Sequence, residues 1–266
     1  RPLSGAGGKI VAIHHRHLNT LLKVMLGPIL LMQGLWVRIK TPVLPEAEGP
    51  RTGHTGAGPA LRLLVVGDSS AAGVGAARQS QALLGHLTQR LARCHAVQYL
   101  LMAQTGATTQ DTFKVLDDMA SERWDVVVTA LGVNDLTGQR NKTDWLADQQ
   151  RLIDLLHVKF DPYVILISGL PPVHRFPALP QPLRWHLGRG AQRFNTALEN
   201  LSGTNAALFL PLDFDMRTDQ MAPDGFHPGQ GIYAQWGHRA AARIRNHLEA
   251  NTTETPMSWR RGTPPN

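Results

Sequence analysis

Five short apolar runs, each followed by a stretch with helical spacing, constrain this chain more than any other feature. The runs cover residues 61–66, 97–102, 125–131, 163–167 and 206–210. The third, Asp-Val-Val-Val-Thr-Ala-Leu, is β-branched and does not alternate, which is the pattern of a strand buried on both faces. Residues 76–93, 109–122, 144–158, 183–201 and 230–248 instead repeat apolar side chains at helical intervals. Strand and helix in strict alternation require parallel strands joined by right-handed crossovers, with helices on both faces of the sheet. The predicted fold is therefore α/β with a central five-stranded parallel sheet. Ligands of such sheets bind at the carboxyl ends of the strands, where the strand order reverses.

The alternation fills residues 61–249, which read as one domain. Residues 1–60 form an N-terminal arm and residues 250–266 a frayed tail. Charge follows the same division. Lys and Arg outnumber Asp and Glu by 27 to 20, but residues 1–60 hold seven of the basic residues and only two acids. Arg260 and Arg261 add to the excess at the other end, leaving the domain near neutral. A basic chain of this kind does not present a cationic folded face, so no nucleic-acid partner is expected. Cys94 is the only cysteine, which excludes an intrachain disulfide and a cysteine-based metal site. Its place at the end of a helical pattern predicts an inert, partly buried thiol. The protein is expected in the cytoplasm.

Within the arm, residues 24–37 are apolar, with Lys23 before them and Arg38 and Lys40 after them. The run is short for a membrane span of about twenty residues, and Arg38-Ile39-Lys40 is a poor signal-cleavage site. A segment packed on the domain, or lying at a membrane surface, fits better. Residues 1–23 read as an unpatterned basic leader whose His14, His15 and His17 are solvated rather than metal-binding, and Met25 reads as a natural start. Residues 42–59, rich in Pro and Gly, read as an extended connection. Residues 169–183 form a Pro-rich loop leaving the same edge as the fourth strand. It suits a wall of the substrate pocket or a rigid surface loop equally.

Three segments carry chemistry. Gly67-Asp68-Ser69-Ser70 follows the first strand, Gly132-Val133-Asn134-Asp135 follows the third, and Asp224-Gly225-Phe226-His227 precedes the last helix. Ser69 supplies a hydroxyl nucleophile at a glycine-rich turn, although either serine there also suits a helix cap. Asp224 and His227 are spaced so that the carboxylate can hold one imidazole nitrogen while the other faces Ser69. The alternative is a surface Asp and a helix-capping His, with His174 and His186 as reserve bases. The Asn134 side-chain amide can donate to an oxyanion, as can the backbone N–H of Gly106 beyond the second strand; both segments also suit ordinary turns. The glycine-rich turn lacks the Gly-Lys-Ser/Thr ending of a phosphate loop and the dinucleotide fingerprint. A nucleotide- or phosphate-binding module is thus the alternative from another class, and a silent interaction domain a third.

Taken together, these segments resemble the SGNH hydrolases, the GDSL esterase/lipase family, and most of all its bacterial branch. Gly67-Asp68-Ser69 with Gly73, then Gly106, Gly132-x-Asn134-Asp135 and Asp224-x-x-His227 match the four family blocks in order. Ser70 stands where the family name has Leu, a position that varies. The resemblance implies a three-layer α/β/α, flavodoxin-like domain with Ser69 as nucleophile, His227 as general base and Asp224 as its orienting acid. It implies an oxyanion hole from Ser69, Gly106 and Asn134, with no cofactor and no metal. The expected activity is hydrolysis of carboxylic esters of short-to-medium acyl chains through an acyl-enzyme. A carbohydrate acetylesterase or a thioesterase needs the same machinery.

Overall fold

Leu63–Val66, Val126–Val128 and Val164–Ile167 are all buried, so three neighbouring strands contribute almost nothing but apolar side chains to both faces of one sheet. The computed structural model describes residues 26–254. Its strands are β1 (Thr52–Thr55), β2 (Ala60–Gly67), β3 (Ala96–Ala103), β4 (Val126–Ala130), β5 (Val164–Ser168) and β6 (Leu208–Leu210). Its helices are α1 (residues 26–40), α2 (Leu83–Leu91), α3 (Thr109–Asp118), α4 (Val133–Thr137), α5 (Lys142–Phe160), α6 (Leu183–Thr204) and α7 (Gln230–Glu254). Helices α2 and α7 pack on each other, while α3, α5 and α6 form a second contiguous layer. The result is the three-layer α/β/α arrangement.

The sheet order is β1-β3-β2-β4-β5-β6. The five predicted strands are all present and parallel. A sixth, β1, pairs antiparallel with β3 at the edge, so the five-stranded expectation falls one short. Its sequence, Thr-Gly-His-Thr, lies inside the stretch read as an extended connection. An edge strand with solvent on one side needs no apolar run, and Pro50, Gly56 and Gly58 around it read as loop.

Two helical expectations also shift. The segment after Ser69 turns through residue 75, and α2 begins only at Leu83 rather than near residue 76. With α2 ending at Leu91, Cys94 falls in the turn beyond the buried face and is exposed, not partly buried. Helix α7 runs past the expected boundary at residue 249 to Glu254. The leader with its three histidines, Met25 and the end of the tail lie outside the described residues.

From the edge strand β1 the chain passes to β2, moves outward to β3, then crosses back to β4 on the other side of β2. The reversal therefore falls at the centre of the sheet, and the register fixes it closely: Gly67 pairs with Ala103 on one side and Ala130 on the other. Beyond β4, Gly132 adopts φ +122° and begins α4. A Cβ there would meet Leu170 Cδ1 at 2.9 Å and Trp145 Cζ2 at 3.2 Å, so both conformation and space require glycine. Trp145 is fully buried and stacks on Phe194 with centroids 4.2 Å apart. Trp145→Ala is expected to cost about 3–5 kcal/mol, read from urea unfolding; a loss under about 1 kcal/mol would show that this layer does not support α4.

Candidate active site

Because β2, β3 and β4 end level with one another, residues two to four positions beyond them crowd one edge. Ser69 stands two residues past β2 and Asn134 four past β4. The third contributor arrives from far along the chain: the loop between β6 and α7, closed on itself by the Ala222 N–H donating to the His227 carbonyl (2.9 Å) and by a bridge between Met221 and Pro228. Gly75 joins this loop to the serine turn. At φ +97°, its missing Cβ would lie 2.4 Å from the Pro228 carbonyl oxygen.

The convergence brings three side chains into a hydrogen-bonded chain. His227 Nε2 lies 2.8 Å from Ser69 Oγ, and its Nδ1 lies 2.6 Å from Asp224 Oδ2. The other Asp224 oxygen accepts the backbone N–H groups of Phe226 (2.9 Å) and His227 (3.0 Å). The carboxylate is therefore held on both oxygens, and its side chain is wholly buried. Burial pushes the Asp224 carboxyl up, but the hydrogen bonds from the His227 ring and these two amides, with the charge of the imidazole, outweigh it. The group ends below its ordinary range and stays ionised, as a carboxylate orienting an imidazole must. Phe226 lies with its ring centroid 5.4 Å from that of His227 and 5.1 Å from that of Phe176, limiting the room in which the imidazole can turn.

Asn134 Nδ2 donates to the Ala107 carbonyl at 3.0 Å and lies 3.4 Å from Asp68 Oδ2. One amide hydrogen is thus well used; the other has only a long contact. Asp68 Oδ1 accepts the Ser70 N–H (2.9 Å) and hydroxyl (2.7 Å). Burial is the largest influence on Asp68 and raises its carboxyl above the ordinary range, with the Ser70 bonds and the charge of His227 opposing it. Gly106 is exposed in a φ +83° turn one residue from the Ala107 carbonyl that takes Asn134, and is not among the residues that line the cleft. His174 and His186 are exposed and do not line the cleft.

Two further supports have only faint sequence signals. Asp135 is buried and accepts the N–H (3.1 Å) and hydroxyl (2.9 Å) of Thr109, fastening the start of α3 to α4. Its burial raises its carboxyl, with the Thr109 bonds working the other way. Tyr233, near the start of α7, donates its hydroxyl to the Val74 carbonyl at 2.6 Å and so ties the helix that follows the His227 loop to the serine turn. Burial, then the negative charges of Asp68 and Asp224, push this phenol well up, which keeps it a neutral donor. Its position six residues after His227, on the buried face of a helix, is the only clue the sequence offers.

Beside Ser69 and His227 the cleft is apolar, walled by Phe214, Met216, Ile232 and Trp236. The Pro-rich 169–183 segment is part of it: Pro171 and Phe176 line the cleft, and the Ala178 N–H donates to the Gly225 carbonyl at 3.1 Å. The enclosed volume is about 50 Å³. At roughly 10–15 Å³ per water-sized sphere, that is space for only a few such spheres. No group of three or more metal-ligating side chains gathers among the described residues.

A serine–histidine–aspartate chain at the carboxyl edge of an α/β/α sheet is an arrangement that serine hydrolases of several folds share. The chain belongs to the GDSL-like lipase/acylhydrolase family, whose model matches residues 65–235. No curated protein matches it in sequence. Among solved structures, an inhibitor-bound M. smegmatis aryl esterase superposes with a TM-score of 0.57 at 18% identity, covering 71% of this chain and 100% of the esterase. TesA gives 0.56 at 20% identity over 70% of this chain and 99% of its own. Est24, a carbohydrate acetylesterase from Sinorhizobium meliloti, gives 0.53 at 17% identity over 70% and 99%. At these identities the likeness is one of fold.

The lowered Asp224 carboxyl has a stability consequence of definite sign. Its ionised form is favoured by folding, so its contribution is present above the free-aspartate pKa of about 3.9 and lost as pH falls through the lower folded value. Asp224→Asn should therefore be less stable than the wild type above about pH 5, with the gap closing in stronger acid. Urea unfolding across pH 3–7 measures this, and a gap independent of pH would contradict it.

Proposed function

We propose that this protein is a serine esterase that hydrolyses carboxylic esters of short-to-medium acyl chains through an acyl-enzyme. The observation that carries the reading is the continuous contact from Asp224 through His227 to Ser69 beside an apolar cleft. In this mechanism the Ser69 hydroxyl attacks the ester carbonyl while His227 Nε2 takes its proton. Asp224 holds the tautomer with Nδ1 protonated and stabilises the imidazolium. The oxyanion is received by the Ser69 N–H, the Gly106 N–H and the Asn134 amide hydrogen that has only a long contact in the resting site. Collapse of the tetrahedral intermediate breaks the ester bond, and His227 returns its proton to the departing alcohol. Water, deprotonated by the same imidazole, then attacks the acyl-enzyme and frees the acid.

The enclosed volume favours the short end of the acyl range. It equally supports a second reading in which the acyl group is acetyl and the alcohol a sugar, or in which a thiol leaves instead. The apolar wall weighs against a nucleotide-binding module, which requires polar or cationic partners for phosphate.

Turnover of p-nitrophenyl esters graded from acetate to palmitate tests the proposal. Ser69→Ala should lose roughly 10⁴–10⁶-fold in kcat, with a chain-length optimum at butyrate or below in the wild type. Asn134→Ala should lose about 10²–10³-fold in kcat with little change in KM. Equal turnover by wild type and Ser69→Ala would remove Ser69 from the chemistry. Activity confined to acetylated sugars or thioesters would move the assignment to the second reading.

A further inference from the structure

Helix α1 has one face that the described fold covers and one that it does not. On the covered face, Leu30 and Val37 pack against the core. Gln33 donates to the Gln181 carbonyl at 2.7 Å and accepts the Leu183 N–H at 3.1 Å. On the other, Leu31, Met32, Leu35, Trp36 and Ile39 are 52–79% exposed. Among the described residues, seven of the eleven exposed large apolar side chains lie between Ile29 and Val43. They are concentrated in one segment, most of them on α1, unlike the scatter of single apolar residues that any surface carries.

The surrounding charge indicates what this face meets. Residues 1–45 contain six Lys and Arg and not one Asp or Glu; Glu46 is the first acid of the chain. Arg38 and Lys40 are exposed at the end of α1. An apolar helix face carrying a tryptophan, bordered by cations and with no acid in the helix itself, is complementary to an anionic lipid surface. Its apolar side chains enter the acyl boundary, the indole sits at headgroup depth, and the cations meet lipid phosphates. A second copy of the same face would oppose cation to cation and is the poorer partner.

We propose that α1 seats the protein on an anionic membrane surface, lying in its plane. No described helix is long and apolar enough to cross a membrane. The inference stands apart from the hydrolase chemistry, but it touches it at one point. Gln33 holds α1 to the far end of the 169–183 segment, and Pro171 and Phe176 of that segment wall the cleft. The surface contact is thereby tied to the rim of the substrate site.

Flotation of the full chain with vesicles tests this, using phosphatidylcholine alone and phosphatidylcholine mixed equally with phosphatidylglycerol. The expected result is flotation with the anionic vesicles, about tenfold weaker on the neutral ones and weakened by salt. A triple substitution, Met32→Asp, Leu35→Asp and Trp36→Asp, should abolish flotation while leaving the thermal unfolding midpoint unchanged, since all three side chains are exposed. Arg38→Glu with Lys40→Glu should remove the preference for anionic lipid. Ser69→Ala should float as the wild type does, which separates surface binding from capture of ester in the cleft. Absence of flotation on both compositions would overturn the proposal, as would undiminished flotation of the triple variant. A dimer in light scattering that the triple variant dissolves, without vesicle binding, would assign the face to a second copy.

Discussion

The in-register ending of three parallel strands is the constraint on which the site depends. Gly67, Ala103 and Ala130 are neighbours in one row of the sheet, so whatever follows them begins at the same height. A slip of two residues in either pairing would carry Ser69 or Asn134 about 7 Å along the strand axis, beyond the reach of any side chain that now meets it. The register is in turn held by burial on both faces, because no alternative pairing buries the same valines and leucines without exposing others. Catalytic geometry here follows from sheet packing before any polar contact is counted.

Three carboxylates sit in or beside the site, and the protein treats them differently. Asp224 receives an imidazole and two backbone amides on its two oxygens, which more than offset the penalty of burial. Asp68 and Asp135 are also buried and accept from Ser70 and Thr109, but in both the burial penalty prevails. Asp224 faces the His227 imidazole, where an ionised carboxylate favours the tautomer with Nδ1 protonated. The other two brace backbone: Asp68 holds the serine turn through Ser70 and approaches Asn134, and Asp135 pins α3 to α4 through Thr109. Their cost in stability is the counterpart of a rigid framework around the Asn134 amide.

Much of the fold could be read from the sequence because buried parallel strands must be written in apolar, β-branched residues, as 125–131 are. Strand β1 could not, since Thr-Gly-His-Thr at a sheet edge has no apolar face to announce it. Helix α4 was equally hidden: its five residues follow a glycine and include Asn134 and Asp135, all favoured in turns. The convergence of Ser69, Asn134 and the Asp224–His227 pair could be anticipated because two of the segments lie just past strands and the last two residues are three apart. What could not be anticipated is how the parts are held. The Tyr233 hydroxyl reaches Val74 across 159 positions, and the Gln33 amide reaches Gln181 across 148. Neither link leaves any periodic mark in the chain.

The base and its acid share one short loop, whereas the nucleophile lies 158 residues away. Any local opening of the molecule therefore divides the site at a particular seam. The Asp224–His227 loop, closed by its own backbone bonds, leaves with α7 as a unit, and Ser69 stays behind with β2. The packing of α7 on α2 and β5, the Tyr233 hydroxyl, the Trp236 indole on Ser168 and the Gly75–Pro228 contact hold the two halves together. The reactive serine of such an opened molecule would be an ordinary alcohol, inert until the helix returned. The alignment of the Ser69 hydroxyl with the imidazole thus depends on how the last helix is packed, not on the polar contacts of the loop alone.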